Sequence, residues 1–447
     1  MQKYIAAAGL GISIAGCGSG SVPAGVFPSS IARTASPVVY SFPKRVNNGL
    51  ASPAGPLFAG PGGSLFGTTE TFYATGCGYC GPGGVFSAVP SPSGAPTVTT
   101  IWLFDGFDGL DPQTGVVRGP DGSLYGTTIS GGYGFAACES ESDGCGVLFK
   151  LAKNGSRWSE ALLHIFNAAS GYRNDGIAPG GPPLLIDGTL YGISQSGGAY
   201  PHYYGTIFKE STNGTGYAII YRFNRSVSAP VGTLIAGPNG TLYGETIGGG
   251  STECRSGAQP GCGTVYSIKR DGSALKVLYA FKGVRHGDGA QPSGYLTLVD
   301  GNLFGATEEG GKKGCGRSGC GIVFELRKNA SKGYSESVLY KFDADPNGSA
   351  PLPWGMALDA GSGQLYGTTE AAGDCSGSFG GTNGSCGTIF RVDPSTGRYA
   401  RVYQFDGPPD GALPFGTPVI AGGALWGETY GGGTDKTGTL WEWKLHV

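Results

Sequence analysis

Paired cysteines are the residues of this chain whose type and spacing point most directly to chemistry. Ten of the 11 cysteines form close pairs: Cys77/Cys80, Cys138/Cys145, Cys254/Cys262, Cys315/Cys320 and Cys375/Cys386. Such thiols form local disulfides, bind zinc or exchange redox equivalents, and only Cys77-Gly-Tyr-Cys80 has the CxxC spacing of a redox site. The pairs are present or absent two at a time at one position of a repeat. We therefore expect five local disulfides, with zinc and redox chemistry as the alternatives.

Acidic residues recur at two positions of the same repeat. Glu70, Glu308 and Glu370 end segments of the GTTE type, whereas Glu245 and Glu428 stand two positions earlier. Because side chains two positions apart share one face of a strand, these five carboxylates are candidates to converge on a ligand. The alternative is that they are solvated loop carboxylates, which is the usual state of glutamate.

A second acidic pattern marks the links between repeats, where Asp-Gly or Asn-Gly precedes a proline. It occurs at Asp108, Asp175, Asp288, Asn347 and Asp410. Asp-Gly followed by proline is typical of a turn that leads into a strand with an unpaired first N–H group. The alternative is a ring of carboxylates that binds Ca²⁺ or sugar hydroxyls; we expect no other cofactor.

Other catalytic patterns are missing from the sequence. The four histidines, His164, His202, His286 and His446, lie in distant segments without an HExxH pair, and neither a GxSxG segment nor a phosphate-binding loop occurs. A glycosidase or lyase that uses opposed carboxylates stays open, because distant residues can meet on one face of a repeat protein.

These residues sit in a repeat that begins with a run of the GSLYG type. The seven runs start at Gly63, Gly122, Gly188, Gly240, Gly301, Gly363 and Gly423, which are 52 to 66 residues apart. Each is preceded by a weaker apolar run and followed by two more, as in GVLFKL from Gly146 and LLHIF to Phe166. Four short strands about every 60 residues predict an all-β, seven-bladed β-propeller.

The ends of the chain predict how the ring closes. The last repeat, residues 414–443, lacks an outermost strand, and the run VVYSF at residues 38–42 stands alone before the first repeat. Pairing these two would remove an open sheet edge. We therefore expect residues 38–42 to complete the last blade.

Composition agrees with an all-β protein. The chain has 87 glycines and only 14% charged residues, but its 39% hydrophobic and 11% aromatic residues supply a core. Its 32 acidic and 30 basic residues nearly balance, so no bulk field favours nucleic acid as a partner.

The tandem pattern GxLYGTT…GG…GxVFxL…xVLYxF resembles the choice-of-anchor tandem repeat family called GloVer, over nearly the whole mature chain. The third repeat departs mildly, with GTLYGISQ in place of the GTT ending. The resemblance implies a propeller-like repeat domain held at the cell surface by an anchor. It implies no activity and no catalytic residues.

The N-terminus predicts that anchor. Residues 1–16 carry one basic residue, Lys3, then a short apolar stretch that ends in Ile14-Ala15-Gly16-Cys17, as in a lipoprotein signal. We expect lipid on Cys17, a flexible tether over residues 17–37, a propeller over residues 38–447, and placement at the outer membrane or cell surface. The alternative is an ordinary secretory signal with an incidental cysteine.

The function predicted from these features is that of a monomeric, lipid-anchored surface protein that binds a glycan or a protein. The alternatives are a polysaccharide-active enzyme on the same scaffold and an inert surface or adhesive element. A pair of close carboxylates beside aromatic side chains would favour the enzyme.

Overall fold

Short runs of β-branched and aromatic residues between glycine-rich turns form the strands of this protein. The computed structural model describes residues 35–43, 50–70, 82–92, 94–132, 144–166, 175–198, 203–254, 260–315, 318–329, 333–344, 352–372 and 385–445. Within these ranges the regular structure consists of β-strands and short 3₁₀ turns, without an α-helix. Seven antiparallel sheets form a β-propeller with four strands per blade, so the predicted fold class is confirmed.

The blades follow one another along the chain, and their strands are numbered in chain order. Blade 1 contains β2 (Phe58–Ala59), β3 (Leu65–Thr69), β4 (Gly84–Ser91) and β5 (Gly94–Leu103). Blade 2 contains β6 (Val116–Arg118), β7 (Leu124–Thr128), β8 (Val147–Asn154) and β9 (Arg157–Ile165). Blade 3 contains β10 (Gly176–Pro179), β11 (Leu184–Ile186), β12 (Thr189–Gly197), β13 (Thr206–Ser211) and β14 (Ala218–Arg222). Blade 4 contains β15 (Val227–Ala236), β16 (Thr241–Gly249), β17 (Thr264–Lys269) and β18 (Lys276–Ala280).

In blades 3 and 5 the first strand is interrupted, which gives these sheets a fifth segment. Blade 5 contains β19 (Gly289–Pro292), β20 (Thr297–Val299), β21 (Asn302–Gly310), β22 (Ile322–Asn329) and β23 (Gly333–Lys341). Blade 6 contains β24 (Pro353–Asp359), β25 (Gln364–Thr369), β26 (Thr388–Val392) and β27 (Tyr399–Gln404). Blade 7 contains β28 (Gly411–Ala421), β29 (Ala424–Gly432) and β30 (Thr439–Lys444), and its outermost strand is β1 (Val38–Ser41).

The ring closes as predicted, through a strand from the other end of the chain. β1 pairs antiparallel with β30, where Tyr40 lies opposite Leu440. The N–H of Phe42 donates to the carbonyl of Gly438 at 3.0 Å. The Phe42 ring is fully buried and packs edge-on against Phe86 of blade 1 at 5.3 Å. The closing strand thus joins blade 7 and also contacts blade 1.

A close approach between two strands explains the second glycine of the GSLYG-type run. A Cβ atom on Gly67 would lie 2.5 Å from the Phe86 ring, which is far inside van der Waals contact. The same contact recurs in the other blades, with added Cβ atoms 2.2 to 2.5 Å from the partner side chain: Gly126/Phe149, Gly192/Phe208, Gly244/Tyr266, Gly305/Phe324, Gly367/Phe390 and Gly427/Trp441. Each blade core therefore requires a glycine opposite a buried aromatic ring.

A second sevenfold feature fixes the start of every first strand. Each blade has a proline at or near the start of its first strand, called the inner proline below. The residue before this proline has a positive φ of 50° to 59° in all blades: Ser52, Asp111, Ala178, Ala229, Gln291, Leu352 and Leu413. In blades 3, 5 and 7 its N–H donates to a cysteine carbonyl of the preceding blade: Ala178 to Cys145, Gln291 to Cys262 and Leu413 to Cys386. The disulfide loop of one blade thereby holds the first strand of the next.

Two of the predicted disulfides are present in full. Cys254 bonds to Cys262, and Cys315 bonds to Cys320. Cys145 and Cys386 are also disulfide-bonded. The remaining cysteines of the prediction, Cys77, Cys80, Cys138 and Cys375, lie outside the described residues, as does Cys17. The thiols seen in the structure are therefore structural links and not free metal ligands.

Candidate ligand-binding site at the channel mouth

The first strands of neighbouring blades line the propeller axis. They bond directly to one another: the N–H of Thr233 in blade 4 donates to the carbonyl of Gly294 in blade 5 at 2.9 Å. One buried cluster joins Ala54, Trp354 and Phe415 of blades 1, 6 and 7, with Tyr295 and Tyr430 packed against it. Residues of four blades can meet only where the blades converge, so this cluster marks the central channel.

Glu70 stands at this point of convergence, at the end of the second strand of blade 1. Its N–H donates to the carbonyl of Ser52 at 3.0 Å, which fixes the backbone beside the first strand. Its Oε1 accepts a 2.5 Å hydrogen bond from Nε2 of Gln113 in blade 2. The Tyr430 hydroxyl of blade 7 interacts with the same carboxyl, whose Oε2 is buried.

The charge state of Glu70 follows from these surroundings. Burial raises the pKa of Glu70 to about 8; the nearby negative charge of Asp111 also raises this pKa, and the Tyr430 hydroxyl lowers it. Near neutral pH the carboxyl of Glu70 is therefore a group that both holds and releases a proton.

Glu308 and Glu370 occupy the same repeat position in blades 5 and 6. Burial raises the pKa of Glu308 to about 8, and the charges of Glu370 and Glu309 add to this rise. Burial raises the pKa of Glu370 to about 7. Both side chains lie deep in the protein and yet remain partly exposed to solvent, as expected for residues that line a channel.

An aromatic wall in blades 5, 6 and 7 is formed by Tyr295, Trp354, Phe415 and Tyr430. The Trp354 ring packs on Phe415 at 4.4 Å between centroids, Tyr295 lies 6.2 Å from Trp354, and Tyr430 lies 6.5 Å from Phe415. Trp354 is only 9% exposed, and its Nε1 has no hydrogen-bond partner among the described residues. The aromatic wall thus belongs to blades 5, 6 and 7, and the residues Glu308, Glu370 and Glu70 belong to blades 5, 6 and 1.

Several of these residues escaped the sequence reasoning. Trp354 and Gln113 directly follow the inner prolines Pro353 and Pro112, and Tyr430 stands at the repeat position of Glu70. An alignment of the seven repeats on the inner proline would have singled out all three. The remaining blades carry Ile129, Gln195 and Ile247 at the repeat position of Glu70, so the acidic groups occupy one side of the ring.

The structure separates Glu245 and Glu428 from this group. Each is 1% exposed, and no carboxyl oxygen of either residue has a hydrogen-bond partner in the described structure. A Cβ on Gly67 of blade 1 would lie 2.5 Å from Oε1 of Glu428, which places that carboxyl between blades 7 and 1. The expected convergence of all five glutamates is therefore not found: three line the channel and two are buried between blades.

Burial determines the charge state of Glu245 and of Glu428. It raises the pKa of Glu245 to about 8, although the Gly294 N–H opposes the rise without reaching hydrogen-bond geometry. Burial also raises the pKa of Glu428 well above its ordinary value. Glu245 is therefore mainly a neutral carboxylic acid at neutral pH, and burial favours the neutral form of Glu428 as well.

The aspartates of the inter-blade links do not form a ring around the channel. Each carboxylate accepts a hydrogen bond from a side chain of an outermost strand or its flank: Asp108 from Trp102 at 2.9 Å, Asp175 from Tyr217 at 2.6 Å, Asp288 from Tyr279 at 2.8 Å and Asp410 from Tyr403 at 2.8 Å. Each also accepts a backbone N–H of its own link, from Asp105, Gly176, Lys282 or Asp406. These contacts agree with the turn interpretation; Asn347 lies outside the described residues.

The described residues also bear on metal binding and on membrane crossing. Over the described ranges, no group of three or more His, Cys, Asp or Glu side chains has the arrangement of a metal site. The same part of the chain contains no helical segment with the length and hydropathy required to cross a membrane.

Solved structures share the fold at low sequence identity. An oligogalacturonate lyase in complex with manganese aligns with a TM-score of 0.53 and 10% identity, over 92% of this chain and 97% of the lyase. A putative 6-phosphogluconolactonase from Bacteroides uniformis aligns with a TM-score of 0.47 and 15% identity, over 82% and 89%. The GH74 enzyme of Niastella koreensis aligns with a TM-score of 0.49 and 13% identity, over 87% and 53%. At this identity the likeness concerns the fold alone.

The sequence itself identifies the family. A comparison with curated proteins gives no match. The family model described as a Gloeobacter/Verrucomicrobia repeat matches residues 133–378 and 252–446, which together span most of the chain. The chain belongs to the Gloeobacter/Verrucomicrobia repeat family.

Proposed function

We propose that this protein is a lipid-anchored extracytoplasmic propeller that binds a glycan at its channel mouth. The observation that carries the proposal is that Glu70, Glu308 and Glu370 stand at the same end of the second strands of blades 1, 5 and 6, while Trp354 and Phe415 of blades 6 and 7 form an aromatic wall in the first strands. Concave sites with a few convergent polar groups among aromatic side chains are the usual form of small-ligand sites. Carboxyl groups pair with sugar hydroxyls, and aromatic faces pack against the apolar faces of sugar rings.

Placement outside the cytoplasm draws support from the lipoprotein-type segment before Cys17 and from the disulfide-bonded loops. Cells that express the chain should incorporate labelled fatty acid into the wild type and not into Cys17→Ala. A wild-type protein that stays unlabelled and leaves with the medium would be an ordinary secreted protein. Such a result would contradict lipid anchoring at Cys17 and would not bear on the glycan site.

The glycan site is tested by binding to an array of oligosaccharides and polysaccharides. We expect the wild type to retain at least one glycan, and Glu308→Gln and Glu370→Gln to lose most of that signal. Asp187→Asn is the matched control, since Asp187 is an exposed carboxylate in a turn between first and second strands, at the opposite end of the blade. An array without any bound glycan would contradict the proposal and favour an inert surface element.

A second candidate function, a polysaccharide-active enzyme, is favoured by the pKa values of the channel carboxyls. Glutamates with pKa values raised to about 7 or 8 can serve as general acids near neutral pH, as Glu308 and Glu370 would. Product analysis of every bound polysaccharide distinguishes the two functions. Turnover that disappears in Glu308→Gln or Glu370→Gln, and persists in Asp187→Asn, would replace binding by catalysis as the main function.

A further inference from the structure

The outermost strand of blade 1, β5, has an edge without charged side chains. Residues 84–103, which form β4 and β5, contain no acidic or basic residue. The outermost strands of blades 2 to 6 each contain at least one: Arg157 and Glu160 in β9, Arg222 in β14, Lys276 in β18, Glu336 and Lys341 in β23, and Arg401 in β27. The outermost strand of blade 7, β1, is uncharged but only 4 residues long. Because charged side chains keep an edge strand from pairing with another chain, β5 lacks a protection that the other long edges have.

The backbone of this edge can pair with a further strand. β5 bonds to β4 on one side, and no described strand pairs with it on the other side. Pro96 has no N–H group, so it confines such pairing to the residues that follow it, 97–103. Their sequence, TVTTIWL, has high β propensity and no charge, which is typical of a segment that adds to the sheet of another chain.

Exposed apolar side chains flank the same edge. Within the described residues the exposed large hydrophobic side chains are Val89, Leu103, Phe107 and Val277, and the first three belong to blade 1 or to the link that follows it. Val89 is 51% exposed and lies opposite Thr97, at the start of the edge. Leu103, 38% exposed, ends β5, and Phe107, 52% exposed, follows it in the link. The edge therefore has exposed apolar surface at both of its ends.

A second copy of this chain has the surface that complements this edge. In an antiparallel pair related by a twofold axis, the start of one β5 lies beside the end of the other. Val89 of each copy then faces Leu103 and Phe107 of the other, so both ends remove apolar surface from water. In the middle of the strand, Thr99 and Thr100 meet the same uncharged residues of the second copy, and threonine pairs are favourable across strands.

We propose that this protein forms a dimer by antiparallel pairing of the β5 strands of two copies, which joins their blade 1 sheets into one. The pairing ends at two copies, because each chain has one long uncharged edge of this kind. A dimer differs from the monomer that the sequence predicts. It does not depend on the proposed glycan site, since β5 lies at the outer rim of the propeller and the channel is lined by the inner strands.

Sedimentation velocity tests the association itself. The full chain is used with the substitution Cys17→Ala, so that no lipid contributes to association. One pair of edge strands buries less area than a standard interface, so we expect a dissociation constant on the order of 10 µM. Protein concentrations from about tenfold below to tenfold above this value should therefore show a monomer that converts to a dimer.

Opposite charges at Thr99 test the assigned edge. Thr99 is exposed and lies near the middle of residues 97–103, so it lies close to its own copy across the twofold axis. We expect Thr99→Lys and Thr99→Glu each to stay monomeric, because like charges opposite each other across two strands are unfavourable. An equimolar mixture of the two variants should form a dimer again, since their charges then attract.

Blade 2 supplies the matched control. Ala161 is exposed and lies opposite Lys150 in the blade 2 sheet, just as Thr99 lies opposite Ser87 in blade 1. Ala161→Lys therefore adds the same charge at the same position of an edge that is already charged, and it should form dimers like the wild type. Melting temperatures show whether each variant is folded.

The possible results separate the dimer from other ways of covering the edge. A wild type that stays monomeric over the whole concentration range would overturn the dimer; slow hydrogen exchange of the β5 amides in that monomer would mean that another segment of the same chain covers the edge. A dimer that persists in Thr99→Lys would place the interface elsewhere. A mixture of the two Thr99 variants that stays monomeric would contradict twofold pairing at this strand. None of these results bears on the glycan array.

Discussion

Gln113 of blade 2 donates a 2.5 Å hydrogen bond to Oε1 of Glu70 in blade 1, across the boundary between the two blades. This contact holds one oxygen of the carboxyl, while Oε2 is buried and the Tyr430 hydroxyl interacts with the same group. It links the geometry of the site to the packing of neighbouring blades, because each residue is fixed by its own first or second strand.

Replacing Gln113 should weaken glycan binding without unfolding the blade. In Gln113→Leu the buried Oε1 of Glu70 loses its donor, and we expect glycan affinity to fall about three- to tenfold. Titration calorimetry against the glycan retained by the wild type measures the change. Gln364→Leu, at the far end of the second strand of blade 6, is the control and should bind like the wild type. An unchanged affinity in Gln113→Leu would show that Glu70 needs no positioning partner.

The buried glutamates between blades should make stability depend on pH. A carboxyl whose pKa is higher in the folded state favours folding at low pH, and this contribution is lost as pH rises from about 4.5 through the folded pKa. For Glu245, with a folded pKa of about 8, the loss is on the order of 5 kcal/mol. We expect Glu245→Gln and Glu428→Gln to be more stable than the wild type at pH 9 and similar at pH 4.5. Urea unfolding at both pH values measures this; equal stabilities at pH 9 would mean that the two carboxyls are solvated.

The closing strand should contribute heavily to stability through a single ring. Phe42 is fully buried against Phe86 of the next blade, so Phe42→Ala should cost about 3 to 5 kcal/mol in unfolding free energy. Phe107→Ala removes a ring that is 52% exposed and should cost far less. Removal of residues 36–43 should lower the melting temperature further. A deletion protein that melts like the full domain would contradict closure by the N-terminal strand.

The disulfides should act mainly as loop constraints. The bridge from Cys254 to Cys262 spans eight residues, for which the loop-entropy model gives about 2.5 kcal/mol. We expect the double variant Cys254→Ala/Cys262→Ala to lose stability of that order and to keep its β-sheet circular dichroism. Reduction of the wild type with dithiothreitol should lower stability by more, since it opens several loops at once. If reduction left the free energy of unfolding unchanged, the disulfides would constrain the unfolded chain very little.

The fold was predictable because its main contacts recur in every repeat. The pairing of a glycine in the second strand with an aromatic residue in the third leaves a visible period, and the unpaired run at residues 38–42 predicts the closure. Strand order also places Glu70, Glu308 and Glu370 at the same end of their second strands.

The rest of the site depends on packing that the pattern does not encode. Because side chains alternate along a strand, Glu428 and Tyr430 share one face of the second strand of blade 7. The sequence does not show how much of that face the neighbouring blade covers. Trp354 was missed because the register shifts between Pro353 and Met356, and such a bulge redirects the side chains of the strand.

Glycan binding at the acidic and aromatic channel mouth is the proposed function of this protein. Its most direct test is the dissociation constant of the best array glycan for the wild type and for the double variant Glu308→Gln/Glu370→Gln. We expect the double variant to bind at least tenfold more weakly, while Asp187→Asn binds like the wild type. A double variant with wild-type affinity would place the ligand elsewhere and contradict the account.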